Sequence, residues 1–484
     1  MTKHSSIQRS SIFKKKLGTF LLFIIDISTV FISLEAAIFL RKNIFTQFFN
    51  FPDFLSKGYI VFVWVIPVWL LFLAYEGLYI KRFSFWDEVK ALWKVIFFST
   101  LAVFSILYLG KVGTQVSRTV IVLMAVISLP LLPMIRINSK KLLMHMGLLK
   151  SKVLILGAGK TGKLILDAIK RDRNLAFDVA GFLDDDPEKI GKTIDGIKIH
   201  GNVDKATKYV GRSGINDIII AMPSCEKKRL STIINRLQHK VHNILFIPEL
   251  FGIAVLGTNL QHFFQEQVIG LEITNNLASP VNIFIKRVFD LVISSALLVI
   301  FMIPMVIIII LTRLNSKGAA IFSQERIGSE DRPFKCYKLR TMYNDAEERF
   351  NDLLENNPEA ISEWENYFKL KHDPRITKVG SFLRKTSLDE LPQLYNVLKG
   401  EMSLVGPRPV TRREIDEYYK ETAKICFSVP PGITGLWQVS GRSNTSYENR
   451  IALDSWYVRN WNLWLDIVIL LKTVRIVMKK EGAF

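Results

Sequence analysis

Long apolar runs separated by short polar stretches fill the first 140 residues. They cover about 17–40, 59–80, 91–109 and 119–137. Each approaches the roughly 20 residues that a helix needs to cross about 30 Å of hydrocarbon, which predicts a four-helix transmembrane domain over 1–145. The first run is not read as a cleaved signal, because three more spans follow it. From about residue 151 the period changes. Strand-like runs near 152–156, 179–183, 217–221 and 244–247 alternate with amphipathic helical segments. That alternation predicts a Rossmann-like, doubly wound α/β domain over 146–278. A fifth apolar run, about 288–311, opens a third domain over 279–484. Pro304 lies near its middle, where it removes a backbone donor and kinks a helix. We expect a break there and a re-entrant hairpin, about 283–312, that enters and leaves on one membrane face. Lys286, Arg287 and Arg313 at its ends read as flanks on that same face.

Composition sharpens this picture. The 484 residues are 49% hydrophobic and 22% charged, with a net charge of +20. So basic a chain invites a nucleic-acid reading. The charge distribution opposes it: residues 1–150, the most apolar part, hold 18 Lys and Arg against 6 Asp and Glu. Basic flanks of membrane helices explain this better than a nucleic-acid face, and no nucleic-acid partner is expected. Basic residues gather before the first span, between spans two and three, and after span four. The positive-inside rule then puts the N-terminus and everything after 137 in the cytoplasm. Asp26, Glu35 and Glu76 fall in or near spans, where pairing between helices is the simpler explanation. Three distant cysteines imply neither a disulfide framework nor a zinc site.

Two motifs carry candidate chemistry. Gly157, Gly159 and Gly162 form GxGxxG between a strand and a helix, with Asp184 some twenty residues on. This is the pattern of a dinucleotide phosphate loop, and equally of a tight turn that needs glycine. Further on, Ser387-Leu-Asp389-Glu390 precedes an apolar series at 388, 391, 394 and 398. By spacing alone it reads as a helix capping box, with Pro392 falling too late for the first helical position.

The segments Phe334–Met342, Leu383–Leu394, Gly406–Pro409 and Pro430–Arg442 resemble the polyprenyl-phosphate hexose-1-phosphate transferases of bacteria. The end of the chain is most similar to the undecaprenyl-phosphate galactose phosphotransferase branch. The resemblance implies a multi-domain inner-membrane protein. Behind the transmembrane bundle and the Rossmann-like α/β domain comes a C-terminal α/β monotopic phosphoglycosyl transferase domain. By the same resemblance Asp389 takes the phosphosugar from a UDP-sugar and undecaprenyl phosphate receives it, in the first membrane step of O-antigen, capsule or exopolysaccharide synthesis. Glu390 matches the family's Mg²⁺ ligand. A hard ion that takes one or two carboxylates plus substrate phosphates makes one glutamate reasonable. Arg384, Arg408 and Arg442 match arginines for phosphate and nucleotide, for which the planar guanidinium is suited. Lys338, Arg340 and Asp454 are further candidates for the substrate region, and a homodimer is expected. The resemblance lowers the expectation that the glycine loop holds a dinucleotide, because the transfer needs no nicotinamide. Galactose is expected over glucose. A membrane-anchored NAD-dependent dehydratase or epimerase is the rival reading. It needs a YxxxK pair, found only at Tyr367/Lys371 and Tyr395/Lys399, outside the α/β domain.

Overall fold

The computed structural model describes residues 2–48, 64–111, 117–213, 215, 217–241, 243–248, 259–263, 268–272, 276–316, 318–356, 373–440 and 446–479. The chain divides into two compact units, 1–249 and 250–484. The expected domain 1–145 and most of the expected domain 146–278 fall within the first unit.

In the first unit four helices form the bundle: α1 (Thr2–Leu40), α2 (Val65–Tyr75), α3 (Phe85–Leu109) and α4 (Arg118–His145). Their inner faces bury Trp69, Leu73, Leu92, Val103, Met124 and Leu132. Their outer faces expose Phe97, Leu101, Val126 and Met134, as lipid-facing surfaces do. The four described helices long and apolar enough to cross a membrane are Phe13–Phe48, Phe85–Leu109, Arg118–His145 and Pro280–Asn315. The expected second span, 59–80, is different. Its described part is an 11-residue helix, and 59–63 lie outside the described residues. Inside the bundle the Arg136 guanidinium joins Asp26 of α1 to Glu88 of α3, which also accepts from Lys140 at 2.6 Å. Glu76 pairs with Lys94 at 2.5 Å. Asp26 and Glu76 thus hold helices together, since an acid in a bundle interior needs a cation.

The α/β part is a six-stranded sheet of β1 (Ser151–Leu156), β2 (Phe177–Leu183), β3 (Thr193–Ile194), β4 (Ile197–Gly201), β5 (Asp217–Ile220) and β6 (Asn243–Phe246). The order is β3-β4-β2-β1-β5-β6, parallel except for the edge strand β3. Central β1 buries Val153 and Ile155 in one core and Leu154 and Leu156 in another. A strand covered on both faces reads as a continuous apolar run, as its sequence does. The segment after α5 (Lys160–Arg171) docks this sheet on the bundle. Asn174 Nδ2 donates to Glu88 Oε2 at 2.6 Å and to the Phe83 carbonyl at 3.1 Å. Phe85 N donates to Asp172 Oδ2 at 2.9 Å. These bonds tie both parts into one unit.

The second unit begins with a hairpin of β7 (Asn259–Phe263) and β8 (Val268–Glu272). The long helix α6 (Pro280–Asn315) follows. Next comes an antiparallel hairpin of β9 (Ile321–Ile327) and β10 (Pro333–Leu339). Then come α7 (Lys378–Thr386), α8 (Gln393–Lys399), the parallel pair β11 (Ser403–Val405) and β12 (Gly432–Thr434), α9 (Tyr447–Arg459) and α10 (Leu463–Lys479). The break expected at Pro304 does not interrupt α6, which is helical over 36 residues. Proline forfeits only its own N–H, and the neighbouring turns keep theirs. Lys286 and Arg287 are not membrane flanks. Lys286 is buried, with Nζ 2.7 Å from Asp466 Oδ2 and 3.0 Å from the Val405 carbonyl. Tyr457 and Trp461 donate to the same Asp466 carboxylate at 2.7 and 3.0 Å. Arg287 donates to the Val397 and Leu398 carbonyls at 2.6 and 2.7 Å. At the other end of α6, Ile308 packs with Leu339 and Leu383. Both ends of this exposed apolar helix therefore rest on the same unit.

Candidate active site

Asp389 and Glu390 lie on a short 3₁₀ turn, Leu388–Glu390, between α7 and α8. The expected capping box is absent. Ser387 ends α7 in the left-handed region (φ 54°) and its side chain caps nothing. The next helix begins only at Gln393, after Pro392, which explains the late proline. Both carboxylates are thereby released from helix duty. Leu388 anchors the turn by packing against Ile308, Leu339 and Leu383, so the pair sits against the far end of α6.

Cations flank the pair. Lys338 Nζ lies 2.8 Å from Glu390 Oε1. Arg384 donates through Nε to Thr341 Oγ1 at 2.9 Å, and its charge falls on Asp389. Burial pushes the Asp389 carboxyl up to about 6, and the neighbouring Glu390 adds to the rise. Lys338 and Arg384 pull it back without cancelling it. Asp389 is therefore mostly ionised at pH 7 yet more basic than an ordinary aspartate, which makes it the better nucleophile.

The remaining candidates separate. Arg408 is exposed on the loop after β11, with its Cζ 5.5 Å over the Trp437 ring. Asp454 is 1% exposed and sits behind that loop. It accepts from Tyr419 OH at 3.0 Å, and burial pushes it up to about 7, against the pull of the Arg408 backbone and guanidinium. It supports the arginine loop from within. Arg340 is occupied by Asn344 Oδ1 at 2.5 Å and the Ser316 carbonyl at 2.6 Å, so it fastens the end of α6. Arg442 lies outside the described residues, as does the Tyr367/Lys371 pair. Tyr395 and Lys399 sit on α8, far along the chain from the glycine loop.

The glycine loop belongs to the first unit. Gly157 has φ +103°, and a Cβ at Gly162 would stand 2.1 Å from the Gly157 carbonyl oxygen. Both are required by the backbone alone, whereas a Cβ at Gly159 meets nothing. Asp184 turns back onto the loop and accepts from Ala158 N at 2.6 Å. An aspartate held there is engaged by the protein's own backbone.

Reasoning from sequence overlooked Lys286–Asp466 and the group around Trp437, which includes Tyr447 and Arg450. A basic pair, Lys286-Arg287, set in an apolar run is the only signal for the first, and it read as a membrane flank. No spacing marks the second.

The profile described as "Bacterial sugar transferase" matches residues 281–480, and that described as "CoA-binding domain" matches 74–248. The UDP-galactose-lipid carrier transferase of Erwinia amylovora is 38% identical over 406 residues, covering 84% of this chain and 84% of that protein. The undecaprenyl-phosphate galactose phosphotransferase of Salmonella typhimurium is 38% identical over 410 residues, again 84% of each. The UDP-glucose:undecaprenyl-phosphate glucose-1-phosphate transferase of Escherichia coli is 33% identical over 347 residues, 70% of each.

Proposed function

The chain belongs to the bacterial sugar transferase family, and from that premise we propose that it moves galactose 1-phosphate from UDP-galactose to undecaprenyl phosphate. The enzyme class, hexose-1-phosphate transfer to undecaprenyl phosphate, follows from relatives that match 84% of the chain. Galactose is our reading. It is supported by the names of the two 38%-identical relatives against a glucose transferase at 33%.

The chemistry divides into two displacements at one phosphorus. The Asp389 carboxylate attacks the sugar-bearing phosphorus, the P–O bond to UMP breaks, and UMP leaves with the bonding pair. This forms an acyl phosphate between Asp389 and the hexose phosphate. An oxygen of undecaprenyl phosphate then attacks the same phosphorus, the acyl P–O bond breaks, and Asp389 returns as a carboxylate. Phosphoryl transfer asks mainly for positioning and for cations on the charged oxygens. Lys338 and Arg384 supply such cations beside the pair, and Arg408 a third on its own loop. The observation that carries this reading is the Asp389–Glu390 pair, flanked by cations and packed against a membrane-length helix.

Among the described residues no three or more His, Cys, Asp or Glu side chains form a metal cage. Two adjacent carboxylates nonetheless suit Mg²⁺, which fills its other positions with water and substrate phosphate. Glu390 would hold the ion, and the ion would neutralise charge on the phosphate oxygens.

We place the transferase at the cytoplasmic face of the bacterial inner membrane, at the start of O-antigen, capsule or exopolysaccharide assembly, and as a homodimer. Basic residues beside α1 and α4 support the orientation. Contacts at both ends of α6 with one unit support a path that returns to the same face by a bend within the continuous helix, for which Pro304 is the natural place. Reagent labelling of single cysteines placed near residue 317 tests it, and labelling only from outside would overturn the placement.

Incubating membranes with labelled UDP-galactose or UDP-glucose and undecaprenyl phosphate tests the function. Release of UMP with label in the lipid is expected, faster for galactose. No lipid label with either sugar would end this reading.

A further inference from the structure

We infer that Arg450, acting with Arg408 at Trp437, grips the phosphate of the nucleotide half of the donor. The inference rests on the transfer reaction proposed above and adds a binding residue to it.

Trp437 is 5% exposed on the turn after β12. Two guanidinium groups lie over its ring, Arg408 with Cζ at 5.5 Å and Arg450 with Cζ at 4.9 Å. Arg450 also lies 5.6 Å over the Tyr447 ring. Among the described residues neither side chain has an oxygen partner, and Nε of Arg450 is buried without a hydrogen bond. Several other arginines of this unit have an acid partner. Arg326 has Glu414, Arg375 has Asp373, and Arg412 has Asp331. Two like charges held at one indole repel each other and leave a fork of donors unused. Attraction to the rings orients the guanidinium groups but supplies no acceptor. What fits is an anion with several oxygens, which a phosphate provides in bidentate form.

The place suits the donor. In the β9–β10 hairpin Lys338 and Phe334 share a face, and Arg326 stands directly across from Phe334. Four strand residues separate these positions, about 13 Å, the length scale of a nucleotide. Arg326 pairs with Glu414 at 3.2 Å, and Glu414 accepts from Tyr447 OH at 2.8 Å. Tyr447 lies beneath Arg450. The carboxylate pair with Lys338 thus stands at one end of the hairpin, and Arg326, Glu414, Tyr447 and Arg450 are linked in turn at the other. A donor with its sugar phosphate at Asp389 would extend its nucleotide along this line.

The test uses the full chain in detergent or lipid nanodiscs, with UMP binding measured by calorimetry and the KM of each substrate by turnover. Arg450→Ala is expected to weaken UMP binding and raise the KM for UDP-sugar by about ten- to a hundredfold, the worth of a charged hydrogen bond. The KM for undecaprenyl phosphate stays unchanged, and Arg450→Lys recovers part of the loss. If Arg450→Ala does not fold, Arg450→Gln, which keeps the stem over Trp437, takes its place. A raised KM for the lipid phosphate alone would assign the anion to the lipid and overturn the inference, as would UMP binding equal to wild type. UMP binding is read without turnover, so this failure is distinguishable from failure of the transfer reaction, which shows as absence of lipid label.

Discussion

Replacing Asp389 by asparagine should destroy transfer and stabilise the protein. The carboxyl stands at about 6 in the folded chain against an ordinary 3.8. Its folded value is raised, so the ionised form burdens the native state. Below about 4 both states are protonated and there is no penalty. The penalty grows as pH rises and is complete above about 6. At 1.36 kcal/mol per pH unit the full difference is about 3 kcal/mol. The side chain is partly open to solvent, and screening leaves about 1–2 kcal/mol. For a unit of this size that is a rise of roughly 2–8 °C in Tm. Asparagine cannot ionise and escapes the penalty. Thermal unfolding of both proteins in detergent should therefore show the mutant higher at pH 7.5, by about three times the gain seen at pH 4.5. Lipid-linked sugar should vanish, because an amide is no nucleophile here. An equal gain at both pH values would refute the electrostatic reading of the turn. Retained transfer, with label trapped elsewhere than on residue 389, would refute its chemical role.

Four further outcomes can be checked. Lys286→Met leaves the buried Asp466 without its cation and should cost about 3–5 kcal/mol, read as a fall in Tm; adding Asp466→Asn should recover part of it. Asp454→Asn keeps an acceptor for Tyr419 and should retain most activity, whereas Asp454→Leu should raise the KM for UDP-sugar by loosening the Arg408 loop. Gly162→Ala drives a Cβ to within 2.1 Å of the Gly157 oxygen and should cost about 3 kcal/mol or more, while Gly159→Ala, with open space, should lower Tm little. Activity should fall about tenfold per pH unit below about 6 as Asp389 protonates, provided that its attack limits the rate.

Periodicity along the chain determined the membrane helices, the alternating α/β part and the glycine turn. Each of these depends on which face of a local element is covered. Asp389 and Glu390 were legible only through the resemblance of their flanking motifs to a known family. Periodicity misjudged the same segment as a capping box, because Ser387 adopts a left-handed conformation that spacing does not encode. It took Lys286 for a membrane flank, because its partner Asp466 lies 180 residues away. Only folding brings those two together, and only folding gathers Arg408 and Arg450 onto Trp437 from three separate elements. Local burial is written in neighbouring residues. A charge buried with its partner, or held without one, is decided by distant segments that meet only in the packed structure.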